Sequence, residues 1–370
     1  MTKVILKKST YHYDTVKTAF FETMDAIGGD LIRRGDRVLI KPNLLSPALP
    51  RDAVLTHPMI VKAAVEYILQ KGARPQVSDS PAIGSFEKIM KDSGIGDALA
   101  GLDVACKAFE NSVRIDIGEP FNAIEIAEDA INADVIINLP KLKTHSQMLL
   151  TLGVKNMFGC IVGYRKAEWH MRTGINRTMF AKLLVLIYQR IRPSFTIIDG
   201  IMAMEGEGPG KSGRPKELGI VLGGRDALAV DRAVCKILEL NADRLPTLRI
   251  AREMGIMEED IEIDGDLPTI HNFRLPPISP LIYGPRKLHG FIRRHLLQRP
   301  VSNDLTCQMC AECRKICPAG AISLREKKLL FDYGRCIRCF CCVEVCPYGA
   351  LHARETFPGR IIREFVAKHF

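Results

Sequence analysis

Through the first 266 residues, short runs of β-branched and aliphatic residues alternate with longer stretches whose apolar positions return at helical spacing. The short runs predict strands at Val4 to Lys8, Arg37 to Lys41, Pro75 to Ser78, Asp134 to Leu139, Phe195 to Asp199 and Gly219 to Leu222. Helices are predicted at Thr15–Ile27, Pro58–Gln70, Ser85–Lys91, Asn176–Arg190 and Ala227–Leu240; in the second of these Ile60, Ala63, Ala64 and Ile68 keep one face apolar. This alternation predicts a large α/β domain, residues 1–266, built on a mostly parallel sheet. From Leu267 to Pro300 the pattern breaks at Pro268, Pro276, Pro277, Pro280, Pro285 and Pro300, the composition of a linker, within which His289–Gln298 predicts one short basic helix. A small α+β module follows over residues 301–356. Residues 357–370 close the chain with an amphipathic helix, Arg360–Lys368, whose apolar face (Ile361, Ile362, Phe365, Val366) is expected to dock on the protein itself.

Composition sharpens the boundary. Of 370 residues 47% are hydrophobic and 25% charged, which excludes disordered and fibrous classes. The net charge of +10 lies wholly in residues 267–370, because residues 1–266 carry 35 basic and 35 acidic side chains. Nine of the 12 cysteines fall between Cys307 and Cys346. No run approaches the roughly 18–20 apolar residues of a membrane span, so no transmembrane segment is expected. The start MTKVILKKSTYHYD is too charged for a secretory signal. A cytoplasmic location is expected, and there a dense cysteine cluster reads as metal binding before disulfides.

The cysteines form a repeat. Cys307, Cys310, Cys313 and Cys317-Pro318 are followed, each 29 residues later, by Cys336, Cys339, Cys342 and Cys346-Pro347. The repeat continues past the cysteines, with Pro318-Ala319-Gly320-Ala321-Ile322 matching Pro347-Tyr348-Gly349-Ala350-Leu351. A zinc site uses four ligands with longer central loops, which argues against zinc here. The run resembles the bacterial two-cluster [4Fe–4S] ferredoxins. That resemblance implies two [4Fe–4S] clusters, the first held by Cys307, Cys310, Cys313 and Cys346 and the second by Cys336, Cys339, Cys342 and Cys317, since the fourth cysteine of each run serves the other cluster. Cys341 is extra and is expected not to be a ligand. Two oxidised cubanes of about −2 apiece offset part of the basic excess.

Candidate chemistry in the large domain sits at strand ends. Lys41-Pro42-Asn43, Asp79-Ser80-Pro81 and Asn138-Leu139-Pro140-Lys141-Leu142-Lys143-Thr144-His145 each close a predicted strand, and ligands of open α/β sheets bind beyond those ends. Gly153-Val154-Lys155-Asn156-Met157-Phe158-Gly159 follows, then Tyr164-Arg165-Lys166 and Trp169-His170; basic residues beside glycines suit an anionic ligand. Binding is therefore assigned to Lys41, Asn43, Asp79, Ser80, Lys141, Lys155 and Asn156, and proton transfer or catalysis to His145, Lys143, Glu207 and His170. The stretch Glu205 to Ser212 is no phosphate-binding P-loop, since Glu205 stands where glycine is required and Arg214-Pro215 follows in place of a helix; a glycine-rich lid is expected instead. No dinucleotide-binding glycine fingerprint occurs.

The set KPNLL at 41–45, DSP at 79–81, NLPKLKTH at 138–145, GVKNMFG at 153–159 and DGIMAMEGEGP at 199–209 resembles a prokaryotic domain-of-unknown-function family, frequent in anaerobes, that often carries a C-terminal ferredoxin module. The resemblance implies an oxygen-sensitive iron–sulfur protein and assigns no substrate. The function expected is an iron–sulfur oxidoreductase passing electrons to or from a small anionic substrate or cofactor. The alternative is an electron-transfer partner protein whose large domain only docks a redox partner protein. Nucleic acid is not an expected partner, because stacking aromatics are sparse among the basic residues; a homo-oligomer stays open.

Overall fold

The computed structural model describes residues 1–163, 165–174, 176–268, 270, 272–276 and 296–361. Tyr164, most of the expected linker helix at 289–298 and most of the expected terminal helix at 360–368 lie outside them. Residues 357–361 are helical.

The large domain is an α/β fold on one mixed, mostly parallel sheet. Its strands are β1 (Thr2–Lys8), β2 (Arg37–Pro42), β3 (Arg74–Val77) and β4 (Ala105–Cys106), then a separate hairpin of β5 (Ser112–Asp116) and β6 (Ala123–Ala127). Next come β7 (Val135–Leu139), β8 (Lys141–His145), β9 (Leu149–Thr151), β10 (Phe195–Gly206), β11 (Gly213–Gly224) and β12 (Ile261–Asp264). The sheet order is β12-β1-β11-β10-β7-β2-β3-β4, with β8 and β9 branching from β10. Strands β10, β7, β2, β3 and β4 pair in parallel, whereas β11 is antiparallel to both β10 and β1. Two apolar layers cover the sheet, one around Phe20, Tyr67 and Ile89, the other around Phe180, Leu184 and Val230.

Local chemistry explains where the helices start. Ser85, Asn176 and Asp226 accept backbone N–H groups at the beginnings of Phe86–Asp92, Arg177–Ile191 and Ala227–Ile237, and Pro58 opens Pro58–Gln70. Two expectations needed revision. The Lys141–His145 stretch does not trail off a strand end: Pro140, without an N–H, ends β7, and the chain re-enters the sheet as β8 alongside β10. The last two expected strands are each 12 residues long and form one hairpin. Glycines along both arms mask their strand character in the sequence, but register pairing from Thr196 with Gly224 out to Gly206 with Gly213 holds them extended.

The C-terminal module is a doubled unit. Strand β13 (Arg299–Ser302) pairs with β16 (Leu351–Arg354), and β14 (Ile322–Arg325) pairs with β15 (Lys328–Phe331). A 29-residue step carries β13 onto β15 and β14 onto β16, and the short helix Glu312–Lys315 onto Cys341–Glu344. Left-handed backbone recurs at the same step: Met309 and Arg338, Ala311 and Phe340, Gly320 and Gly349 all have φ between 54° and 63°. In each half the turn at that glycine brings an amide back onto the last cysteine, Ala321 N–H to Cys317 Sγ at 3.3 Å and Ala350 N–H to Cys346 Sγ at 3.2 Å. That is the physical content of the shared Pro-x-Gly-Ala sequence.

Candidate functional site

The carboxyl ends of β2 and β3 meet in an ion pair. Lys41 Nζ lies 2.9 Å from Asp79 Oδ1, both buried, and Lys41 also donates to the Pro42 carbonyl. The Asp79 carboxylate accepts the Leu44 and Ser80 amides, so it ties the loop after β2 to the end of β3. Asn156 connects this pair to β7: its Oδ1 accepts from Asn43, while its Nδ2 donates to Asn138 Oδ1 and the Lys41 carbonyl. Gly159 lies over the pair, and a Cβ there would collide with both Lys41 Nζ and Asp79 Oδ1. The final glycine of GVKNMFG is thus required by close approach.

Above this floor is a cavity of about 90 Å³, lined from the large domain by Lys41, Asn43, Asp79, Ser80, Thr151, Lys155, Asn156, Lys166 and His170 among others. Its opposite wall belongs to the module: Ile316, Cys341, Glu344 and Val345. The cavity lies between the two domains.

Glu344 is the charged residue of that wall. Its Oε1 lies 2.7 Å from His145 Nε2. His145 Nδ1 accepts the Gln147 and Met148 amides, which leaves the ring proton on Nε2, toward Glu344. Burial, then the charge of Lys155, push His145 down to about 4, against the pull of Glu344, so the ring is neutral near pH 7. Burial works to raise Glu344, but His145, Lys155 and His170 outweigh it and hold the carboxylate down to about 2. Burial lowers Lys155, whose ammonium has no hydrogen bond or ion pair among the described residues. Lys166 donates to the Ser80 carbonyl and is pushed down to about 8, chiefly by burial. His170 packs against Phe158 and Phe180, and burial lowers it to about 3.

In the module, a second cavity is lined by Cys307, Cys310, Cys313 and Cys346 together. The group includes Cys346, from the far end of the repeat. Cys336, Cys339, Cys342 and Cys317 make the other neighbourhood: burial first, then Cys339, Cys336 and Cys317, raise the Cys342 thiol. Cys341 hydrogen-bonds Cys339 and also borders the inter-domain cavity.

Of the residues singled out in the sequence, Lys41, Asn43, Asp79, Ser80, Lys155, Asn156 and His170 converge on the inter-domain cavity. Four others do not line it. Lys141 is held by Asp199 Oδ2 at 2.8 Å and Tyr11 Oη at 2.7 Å, and Lys143 donates to the Val54 carbonyl at 2.6 Å. His145 stands behind Glu344. Glu207 pairs with His352 of the module, and its hairpin tip is no free lid: Ser212 Oγ donates to the Leu351 carbonyl, and Gly210 packs on the Glu344 backbone. Sequence reasoning placed Lys166 in a basic stretch suited to an anion and Asp199 in a motif but assigned neither a role, and it missed Thr151 and Glu344. The signal for Glu344 was there as a departure from the repeat, since Lys315 occupies the matching position of the first half.

Residues 38–236 match the family model described as Domain of unknown function (DUF362), and residues 299–347 match that of a 4Fe-4S dicluster domain. The module therefore carries two [4Fe–4S] clusters. The chain is 33% identical over 303 residues to the Thylakoid-associated protein of Synechocystis sp., covering 80% of this chain and 94% of that one. A solved structure, the lactate racemase apoprotein from Thermoanaerobacterium thermosaccharolyticum, aligns with a TM-score of 0.45 at 15% identity, over 63% of this chain and 56% of that chain. Among the described residues no helix is long and apolar enough to cross a membrane.

Proposed function

The chain belongs to the DUF362 family, and from that premise we propose that it is an iron–sulfur oxidoreductase whose anionic substrate or cofactor binds in the cavity between the large domain and the dicluster module. One observation carries the reading: the same cavity has the strand-end residues Lys41 and Asp79 on one wall and Ile316, Cys341 and Val345 on the other, each of these three next in sequence to a cluster cysteine. Cys307, Cys310, Cys313 and Cys346 would hold one cluster, and Cys336, Cys339, Cys342 and Cys317 the other. The clusters supply one-electron transfer when bound.

The chain's own residues do the rest. Lys155 and Lys166 attract and orient the anion, while the Lys41–Asp79 pair fixes the floor. His145 holds a proton on Nε2 against Glu344, ready for exchange when charge in the cavity changes. A docking module without catalysis has no need of a cavity lined by buried lysines one residue from a cluster ligand, which favours the enzyme over the partner-protein reading. A cytoplasmic setting belongs to the same proposal. The test is anaerobic: the reconstituted, dithionite-reduced protein is mixed with small anions, and the visible absorbance of the clusters is followed. Reoxidation by one of them supports the reading; clusters that reoxidise only with a second electron-transfer protein, and equally fast in the Lys155→Met variant, overturn it.

A further inference from the structure

The inter-domain cavity is lined by buried polar atoms that have no hydrogen-bond partner. Asn43 Oδ1, Thr151 Oγ1 and His170 Nδ1 all lack one, and all three residues line the cavity. An orphaned buried polar atom forfeits the hydrogen bonds it had in water, so three around one void mark a place where a ligand completes the bonding. The ammonium of Lys155, equally without a direct acceptor, lines the same space.

The kinds of atom left over describe the ligand. Lys155 offers donors only, and Thr151 and a neutral His170 each can donate. Asn43 spends its amide N–H on Asn156 Oδ1, so its free Oδ1 accepts only. Charge adds a second constraint. Among the lining side chains, the ammonium groups of Lys41, Lys155 and Lys166 face the carboxylates of Asp79 and Glu344, an excess of one positive charge. Size adds a third: the volume of about 90 Å³ is smaller than the roughly 150 Å³ that accommodates benzene.

We propose that the cavity takes a small monoanion of fewer than about six heavy atoms that also carries one hydrogen-bond donor, of which a short hydroxycarboxylate is the simplest example. Its carboxylate meets Lys155, Thr151 and His170, and its hydroxyl donates to Asn43 Oδ1. This rests on the functional reading above for the identity of the site but makes no use of electron transfer.

Calorimetry on the oxidised holoprotein tests it with four probes. Glycolate should bind. Acetate, which lacks the donor and leaves Asn43 Oδ1 unsatisfied, should bind about tenfold more weakly, and uncharged glycolamide weaker by about 10- to 100-fold. Citrate should not bind. Thr151→Val provides the discriminating variant, because the hydroxyl it removes has no protein partner: the empty protein should be as stable as wild type or more so, while glycolate affinity falls about tenfold. Lys155→Met should reduce it further. Citrate binding as tightly as glycolate, no small carboxylate binding at all, or glycolate affinity unchanged in both variants would each overturn the proposal. If glycolate binds as expected yet never exchanges electrons with the clusters, the oxidoreductase reading fails and the anion site stands. If the clusters exchange electrons with a molecule outside this class and none of the probes binds, the reverse holds.

Discussion

The two halves of the C-terminal module share their strands, their left-handed turns and their amide-to-sulfur bonds, yet they live in different surroundings. In the first half the helix Glu312–Lys315 turns Arg314 and Lys315 to solvent. In the second half every residue of Cys341–Glu344 is buried. The departures from the repeat fall on that face: Glu312 becomes Cys341, Arg314 becomes Val343, and Lys315 becomes Glu344. Symmetry supplies two cluster sites, and the departures from it fall on the face that meets the cavity. The first cluster site, with Cys310 exposed, is left to meet whatever delivers or removes electrons.

The sharpest way to break this comparison is to remove one ligand from each half. Cys339→Ala and Cys310→Ala should each cost about half of the bound iron, but only Cys339→Ala should abolish electron exchange with a cavity-bound anion. Iron analysis and anaerobic absorbance check both, and equal losses of exchange would refute the expectation that the second cluster, whose Cys317 and Cys342 adjoin Ile316 and Cys341 of the cavity wall, is the nearer one. Next in size is an exchange of the diverged residues. Glu344→Lys adds a fourth ammonium to the cavity lining and removes the partner of His145, so it should destabilise the docked module by about 3–5 kcal/mol. Its counterpart Lys315→Glu, on an exposed helix, should stay within about 0.5 kcal/mol. Denaturant midpoints measure the difference.

Acid should act in the same direction as Glu344→Lys. Burial first holds His57 to about 4, His145 to about 4 and His170 to about 3, below the ordinary value of 6.5, so the unfolded chain binds more protons than the folded one in this range. Stability should therefore fall as pH drops from about 6.5 toward 4. Glu344, held down to about 2, contributes stability above its unfolded value of 4.5 and loses it only as pH falls toward 2. A urea midpoint that is flat or rises between pH 7 and 5 would contradict this. The smallest effect is expected for Glu207→Gln. Its pair with His352 is partly solvated, and the change should cost about 1 kcal/mol or less.

Much of this was legible in the sequence. Six strands and five helices follow from the sequence pattern, because each helix buries one face on the sheet and central strands such as Val135–Leu139 are buried on both, and the cysteine spacing reports the module directly. The strand-end residues Lys41, Asn43 and Asp79 were legible as a site because parallel strands deliver their carboxyl ends to one edge. Lys141, Lys143 and His145 were placed in the same crevice because nothing local distinguishes a polar strand end from a polar strand. Once Pro140 restarts the chain as β8, their period of two directs all three to one side of that strand, toward Asp199, the Val54 carbonyl and Glu344 in turn. Glu344 itself depends on how two domains dock, and no periodicity within either one encodes that contact.

The β10–β11 hairpin runs from the centre of the large sheet out to the module, where Glu207 and Ser212 hold on to His352 and Leu351. It acts as a strut. Many redox proteins carry electrons by swinging a tethered carrier between two docking positions, and their turnover slows as the solvent thickens. Here the hairpin fastens the module against the large domain, so on the proposed function internal electron transfer should be indifferent to glycerol or sucrose, and only the arrival of an external electron carrier should feel the viscosity.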